Sequence, residues 1–142
     1  MKTYPIDQLI DDIYREKNKV LSLFLDKYSL GNGQFQILNE IAWHDGISQE
    51  GIASIRKTDK SAIAKSIKGL IDKGYIFKER NLEDKRAYCL HCTEKGRLMI
   101  PKIQNIVESV DKILLKDFSK EDASQIRSLC LKLKANIATA LE

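Results

Sequence analysis

A chain of 142 residues with 43% hydrophobic and 31% charged side chains has the size and balance of one globular domain with its own core, which excludes a disordered chain. No apolar run approaches the roughly 20 residues of a membrane span, and Met1-Lys2-Thr3-Tyr4-Pro5, followed by Asp7, Asp11 and Asp12, lacks the apolar stretch of a secretory signal, so a cytoplasmic location is expected. The net charge of +4 is unevenly spread: residues 1–55 carry 5 basic and 8 acidic side chains, residues 56–97 carry 12 and 6, and residues 98–142 carry 7 and 6, the asymmetry of a chain that turns one face to a polyanion.

From about Pro5 to Lys27, apolar residues at Ile6, Leu9, Ile10, Ile13, Tyr14, Val20, Leu21 and Phe24 recur at spacings of three and four. They predict one stripe of a long amphipathic helix, with Pro5 in its first turn. Gly31-Asn32-Gly33 breaks it, and Asn32 is a candidate cap for a second helix from Gly33 to Trp43 with Phe35, Leu38 and Ile41 inward. After the turn His44-Asp45-Gly46, Ser48 is the expected cap of a short third helix, about Gln49 to Ile55, burying Ile52 and Ile55. Gly51 inside it costs about 1 kcal/mol relative to alanine.

Asp59 suits the cap of a fourth helix, Lys60 to about Lys73, with Ile63, Ile67, Leu70 and Ile71 on its inner stripe and Gly74 as its stop. Tyr75–Glu79 and Ala87–Cys92 then read as two strands joined by a charged loop, Arg80 to Arg86: a hairpin. Thr93 caps a fifth helix, interrupted or delayed by Pro101, with Ile103, Ile106, Val107, Val110 and Leu114 in its stripe. Ser119 and Asp122 have capping-box spacing for a sixth helix carrying Ile126, Leu129, Cys130, Leu133 and Ile137. The fold class is therefore mostly α with a small β-hairpin.

Helix, short helix, tight turn, helix and basic-tipped hairpin is the order of a helix-turn-helix with a wing, whose second helix enters the DNA major groove. The face of the fourth helix opposite its isoleucines shows Lys60, Ser61, Ala62, Lys65 and Lys68. Small side chains allow close approach to bases: Ser61 can bond a base or phosphate, Ala62 can touch a thymine methyl, and Lys65 can reach guanine. Lys60 and Lys68 are expected on phosphates. Taken alone, these lysines equally suit a solvated surface helix.

Several segments together resemble the MarR family of bacterial winged-helix regulators. They are Ile47-Ser48-Gln49 through Asp59-Lys60-Ser61, Lys73-Gly74-Tyr75-Ile76, Glu83-Asp84-Lys85-Arg86-Ala87 and Leu90-His91-Cys92-Thr93-Glu94-Lys95-Gly96. The similarity spans about residues 33–100, and Asp84-x-Arg86 followed by Thr93-Glu94-Lys95-Gly96 is its most specific part. Gly51 and Cys92 depart from the pattern, away from the DNA-facing set. In such a wing Arg86 can enter a narrow A/T-rich minor groove, with Asp84 holding its guanidinium fork, while Arg80 and Lys85 add attraction for phosphates.

The resemblance implies a winged helix-turn-helix lobe at about 33–97, with helices at about 1–30 and 98–142 interlocking two copies into a homodimer. The flanking helices carry more large apolar residues than a winged helix could cover, which supports a homodimer independently. A two-fold dimer expects a palindromic double-stranded DNA operator with half-sites about 10 bp apart. Repression, with release by a small aromatic or anionic effector, is further implied; Tyr14, Phe35, Trp43 and His44 are the candidate effector residues.

No cofactor and no metal are expected. Cys89 and Cys92, three apart on a strand, point to opposite faces and do not readily share a metal or a disulfide. An odd set of three cysteines suits a reducing compartment. Only His44 and His91 offer acid–base chemistry, without a partner at a recognisable spacing, and Gly31-x-Gly33 lacks the rest of a nucleotide loop, so an enzyme is not expected. Two alternatives stay open: a winged dimer that contacts proteins without binding DNA, and a thiol-based redox sensor.

Overall fold

The long N-terminal helix begins one residue past Pro5 in the computed structural model, which describes residues 3–142. Two compact units make up the chain, one reaching Val107 and the other Glu108–Glu142. In the first, α1 (Ile6–Leu25) passes through a single tight turn, Asp26–Tyr28, toward α2 (Asn32–Trp43). Asn32 is the first residue of α2, one place later than its expected capping position. Gln34 supplies the cap, its side-chain oxygen accepting the Gly31 N–H at 3.2 Å. The Asn32 amide instead reaches α1, accepting from the Ser22 hydroxyl and donating to the Asn18 carbonyl.

α3 (Gln49–Arg56) starts at Ser48, whose hydroxyl accepts the Gly51 N–H at 2.9 Å. A Cβ on Gly51 would lie 2.8 Å from Ile47 Cγ1, so close packing of that side chain explains a glycine inside a helix. Ile52 is buried, but Ile55 is 47% exposed, against expectation: an eight-residue helix presents only one turn to the core. α4 (Lys60–Asp72) buries Ile63, Ile67 and Leu70, leaves Ile71 half-buried, and gives way to Gly74 at φ +79°, a left-handed position suited to glycine.

β1 (Ile76–Arg80) and β2 (Tyr88–Cys92) pair antiparallel, Ile76 opposite Cys92 and Arg80 opposite Tyr88. The outer edge of β2 is engaged by the α2–α3 turn: Gly46 N–H donates to the Leu90 carbonyl and Leu90 N–H to the Ile47 carbonyl, each at 2.9 Å. The hairpin is thus fixed to the helix-turn-helix at its base, while its tip projects. Leu38, Ile41, Ile52, Ile63, Leu70, Ile76 and Ile103 are fully buried and draw α2, α3, α4, β1 and α5 (Glu94–Leu114) into one core, each such side chain contributing about 1.5–3 kcal/mol of hydrophobic stabilisation.

Thr93 makes the junction between hairpin and α5. Its hydroxyl donates to the Gly74 carbonyl at 2.6 Å and accepts the Gly96 N–H at 3.1 Å. A Cβ on Gly96 would lie 2.1 Å from the Tyr75 carbonyl oxygen, so only glycine lets α5 come this close. α5 starts at Glu94, ahead of Pro101, and continues through it, so Pro101 does not delay the helix.

In the second unit, Ser119 and Asp122 cap α6 (Lys120–Ala140) reciprocally, at 3.2 and 3.0 Å, and Arg127 lies 3.4 Å from Asp111. Ile126, Leu129, Leu133 and Ile137 form the expected stripe of α6, yet no residue of that helix is buried. In the first unit, Ile6, Leu9, Ile10, Ile13 and Tyr14 of α1 are likewise exposed, as is Val107 of α5. Leu114 is exposed too. These stripes are amphipathic as the spacing predicts, but they stay exposed among the described residues. Among the described residues no helix is long and apolar enough to cross a membrane.

Candidate nucleic-acid interface

The N-terminus of α4 is built by Asp59, whose carboxylate accepts the Ser61 N–H and the Ser61 hydroxyl. These bonds hold the Asp59 carboxyl below its ordinary value, the Ser61 hydroxyl first among them. Ser61 is therefore already a donor within the chain and has only its acceptor lone pairs to offer outward. Beyond it Ala62, Lys65 and Lys68 are exposed, as the period of α4 predicts, with Lys60 at the helix start.

At the hairpin tip, Asn81 and Asp84 fold the loop onto its own backbone. Asn81 Oδ1 accepts from the N–H groups of Glu83 and Asp84, at 2.9 and 3.4 Å. Asp84 Oδ1 accepts from the backbone N–H of Arg86 at 3.0 Å. The expected fork between Asp84 and the Arg86 guanidinium is not made; a carboxylate two residues upstream in a turn reaches the main-chain donor first, and the guanidinium extends outward.

The two faces of the hairpin differ in charge. One carries Lys78, Arg80 and Tyr88; the Arg80 guanidinium donates to the Tyr88 hydroxyl at 3.3 Å, and Lys78 and Arg80 lie 5.0 and 5.7 Å from the Tyr88 ring centre. The Arg80 hydrogen bond and charge draw the Tyr88 phenol below its ordinary pKa. The other face stacks Phe77 on His91 and places His91 Nδ1 2.8 Å from Asp45 and Nε2 3.4 Å from Glu79. The cationic face meets α4 across a cleft of about 770 Å³ that gathers Lys60, Lys68, Lys78, Asp84, Arg86 and Tyr88.

Ser61, Ala62 and Lys65 do not line that cleft; they continue its surface along the outside of α4. Arg80 and Lys85 are exposed on the hairpin and its tip. Among the described residues, none of Lys60, Lys65, Lys68, Arg80, Lys85 and Arg86 has a carboxylate at ion-pair distance. The surface is cationic in balance, with Glu50 and Asp84 the carboxylates among the lining residues of its cleft. Lys78 and Tyr88 went unnoticed in the sequence, although the period of two that places Lys78 beside Arg80 was there to read.

Of the effector candidates, Phe35 is buried in the core, while Tyr14, Trp43 and His44 are exposed, and none of the four lines the cleft. Leu90 and Cys92 face the core as expected; burial first, and Asp45 second, push the Cys92 thiol up, away from the reactive thiolate.

Residues 19–103 match the family described as transcriptional regulator SarA/Rot. The chain belongs to that family. As a whole this regulator is similar to the HTH-type transcriptional regulator YybA of Bacillus subtilis, 29% identical over 125 residues that cover 88% of this chain and 83% of the relative. Its fold is that of the MarR winged helix. A MarR transcriptional regulator from Methanosarcina mazei Go1 is 30% identical, with a TM-score of 0.86 over 94% of this chain and 97% of the other. A transcriptional regulator from Listeria monocytogenes, assigned to the MarR family and crystallised with 26mer DNA, is 30% identical, with a TM-score of 0.87 over 97% and 92%.

Proposed function

We propose that this regulator binds duplex DNA as a homodimer and represses transcription from palindromic operators. The observation that carries the reading is the cationic surface, its lysines and arginines free of ion pairs among the described residues, that runs from the outer face of α4 to the hairpin tip. Lys65 and Ala62 meet base edges in the major groove, with Ser61 accepting from a base amine. Lys60, Lys68, Arg80 and Lys85 hold phosphates, and Arg86 probes the adjacent minor groove from a tip shaped by Asp84. Lys78 joins the phosphate contacts. A relative of the same fold crystallised with DNA supports the assignment.

Dimerisation is supported by the uncovered stripes of α1 and α6. Contiguous apolar surface of this kind marks an interface, and two-fold pairing repeats the recognition helix at the spacing of successive major grooves. The flanking segments, about 1–30 and 98–142, serve that pairing, and about 33–97 forms the DNA-binding lobe. Release by a small effector acts, on this reading, by favouring one spacing of the two α4 helices over another.

Fluorescence anisotropy with a labelled duplex from upstream of its own gene, together with sedimentation of the free protein, tests this. The reading expects a dimer that binds that duplex far more tightly than a scrambled one. A monomer, or equal affinity for both duplexes, contradicts it.

A further inference from the structure

A second concavity, of about 670 Å³, lies at the C-terminal end of α4. Lys27, Lys73, Lys95 and Lys102 converge on it from the Asp26–Tyr28 turn, the end of α4 and the first turns of α5, and Glu94 is the one carboxylate among its lining residues. The cleft takes residues of α4 from Lys60 to Ile71 together with the hairpin, and the second concavity takes Lys73, Tyr75 and the start of α5, so the two share no lining residue.

The four ammonium groups are held without being neutralised. Lys73 Nζ donates to the Ser29 carbonyl and, at 2.7 Å, to Gln34 Oε1; Lys95 Nζ donates to the Lys73 carbonyl at 2.7 Å. Lys27 and Lys102 lie over the Tyr28 ring, at 5.1 and 5.3 Å, and Lys95 over the Tyr75 ring, at 4.4 Å. The rings are braced together, the Tyr75 hydroxyl donating to the Tyr28 carbonyl at 3.2 Å. Among the described residues none of the four lysines has a carboxylate at ion-pair distance. Like charges brought together repel, and the repulsion is relieved by a counter-charge in their midst.

We propose that this concavity binds a compact, multiply charged oxyanion, the group carried by phosphorylated and by polycarboxylate small molecules. Lysines act as flexible point charges and suit a compact oxyanion better than a planar, bidentate one. The tyrosine faces are already occupied by ammonium groups, so recognition rests on charge and not on stacking an aromatic ligand. An oxyanion that draws Lys73 and Lys95 inward competes with the bonds fixing the end of α4 to the residue-29 turn and to α5, which gives occupancy a route to the DNA-reading helix. The binding itself does not depend on the DNA reading.

Isothermal calorimetry of the intact protein with inorganic pyrophosphate, and separately with citrate, at constant ionic strength tests the proposal. Tight binding of pyrophosphate alone identifies a phosphate site, and binding of citrate alone identifies a polycarboxylate site; either supports it. Lys27→Gln with Lys102→Gln removes two charges without touching the hydrogen bonds of Lys73 and Lys95, and should weaken binding about tenfold or more, the loss expected for two charge-assisted contacts. The charge-matched control, Lys132→Gln with Lys134→Gln, should bind as wild type, and thermal melts of both variants establish that they fold. Binding of neither anion overturns the proposal. So does equal weakening in the control, or a Lys27/Lys102 variant that loses DNA affinity while its anion binding is unchanged, which would mark a DNA-backbone contact.

Discussion

Asp84 holds Arg86 by the main chain: its carboxylate accepts the Arg86 N–H at 3.0 Å, and the guanidinium is left unpaired among the described residues. The carboxylate therefore shapes the tip of the hairpin and does not aim the side chain. Asn can accept the same bond. Asp84→Asn should keep DNA affinity within about threefold, while Asp84→Ala, which frees the turn, should lower it roughly five- to tenfold, the worth of one hydrogen bond. Anisotropy titrations of the two variants distinguish this from a guanidinium clamp, for which both substitutions would be equally damaging. Arg86→Ala should weaken binding most on A/T-rich flanks.

Gly96 is a position where function and stability separate. A methyl group there meets the Tyr75 carbonyl at 2.1 Å, and that carbonyl also accepts the Thr93 N–H. Backbone cannot give way as a flexible side chain can. Gly96→Ala should destabilise the fold by about 2–4 kcal/mol, read as a lower urea midpoint, although the residue is remote from the cationic cleft. Gly69→Ala is the milder case: its new Cβ meets the end of the Gln34 side chain, which can move where backbone cannot, at the expense of the hydrogen bonds it accepts from Gly31 and Lys73.

Asp59 makes the start of α4 sensitive to acid. Its folded pKa lies below the ordinary aspartate value, so the stabilisation it provides is present above that value and is lost as pH falls through the lowered one. Asp59→Asn retains a capping side chain without the titration. The melting temperature of the wild type should therefore fall relative to that of Asp59→Asn as the pH is taken from neutrality to below 3.8. A constant difference across the range would show that the cap does not depend on the charge.

The apolar stripes supply a test of assembly. Leu133 and Ile126 are on one side of α6, and Ile13 is on α1, all exposed in the single chain. A charge at any of them costs little in a monomer and much in an interface. Ile13→Glu or Leu133→Glu should shift sedimentation from dimer to monomer at micromolar protein and abolish DNA binding with it, while circular dichroism stays close to wild type.

The order of elements was legible because each boundary carries its own chemistry: Ser48, Asp59 and Ser119 cap as their types demand, and Gly74 takes the left-handed turn. Which side of a helix is covered was not always legible. Ile55 and the stripes of α1 and α6 have the right period, but burial depends on what lies opposite, and among the described residues these side chains stay exposed. The exposed face of α4 could be read from periodicity alone. The partners of Asp84 and Ser61 could not, because short polar side chains choose between main chain and neighbour by turn geometry, which spacing does not encode. The four lysines of the second concavity are far apart in sequence, at positions 27, 73, 95 and 102, and only the fold brings them together.

The salt dependence of DNA binding tests the central claim most directly. Affinity for one duplex is measured across a range of salt concentrations for the wild type, Lys68→Ala and Arg86→Ala. If α4 and the hairpin tip contact the duplex as one surface, removal of a phosphate contact at Lys68 should flatten the slope of log affinity against log salt by about 0.9. The same loss should appear on every duplex, whereas Arg86→Ala should depend on the flanking sequence. Slopes and affinities identical to wild type in both variants would place the DNA elsewhere on the molecule.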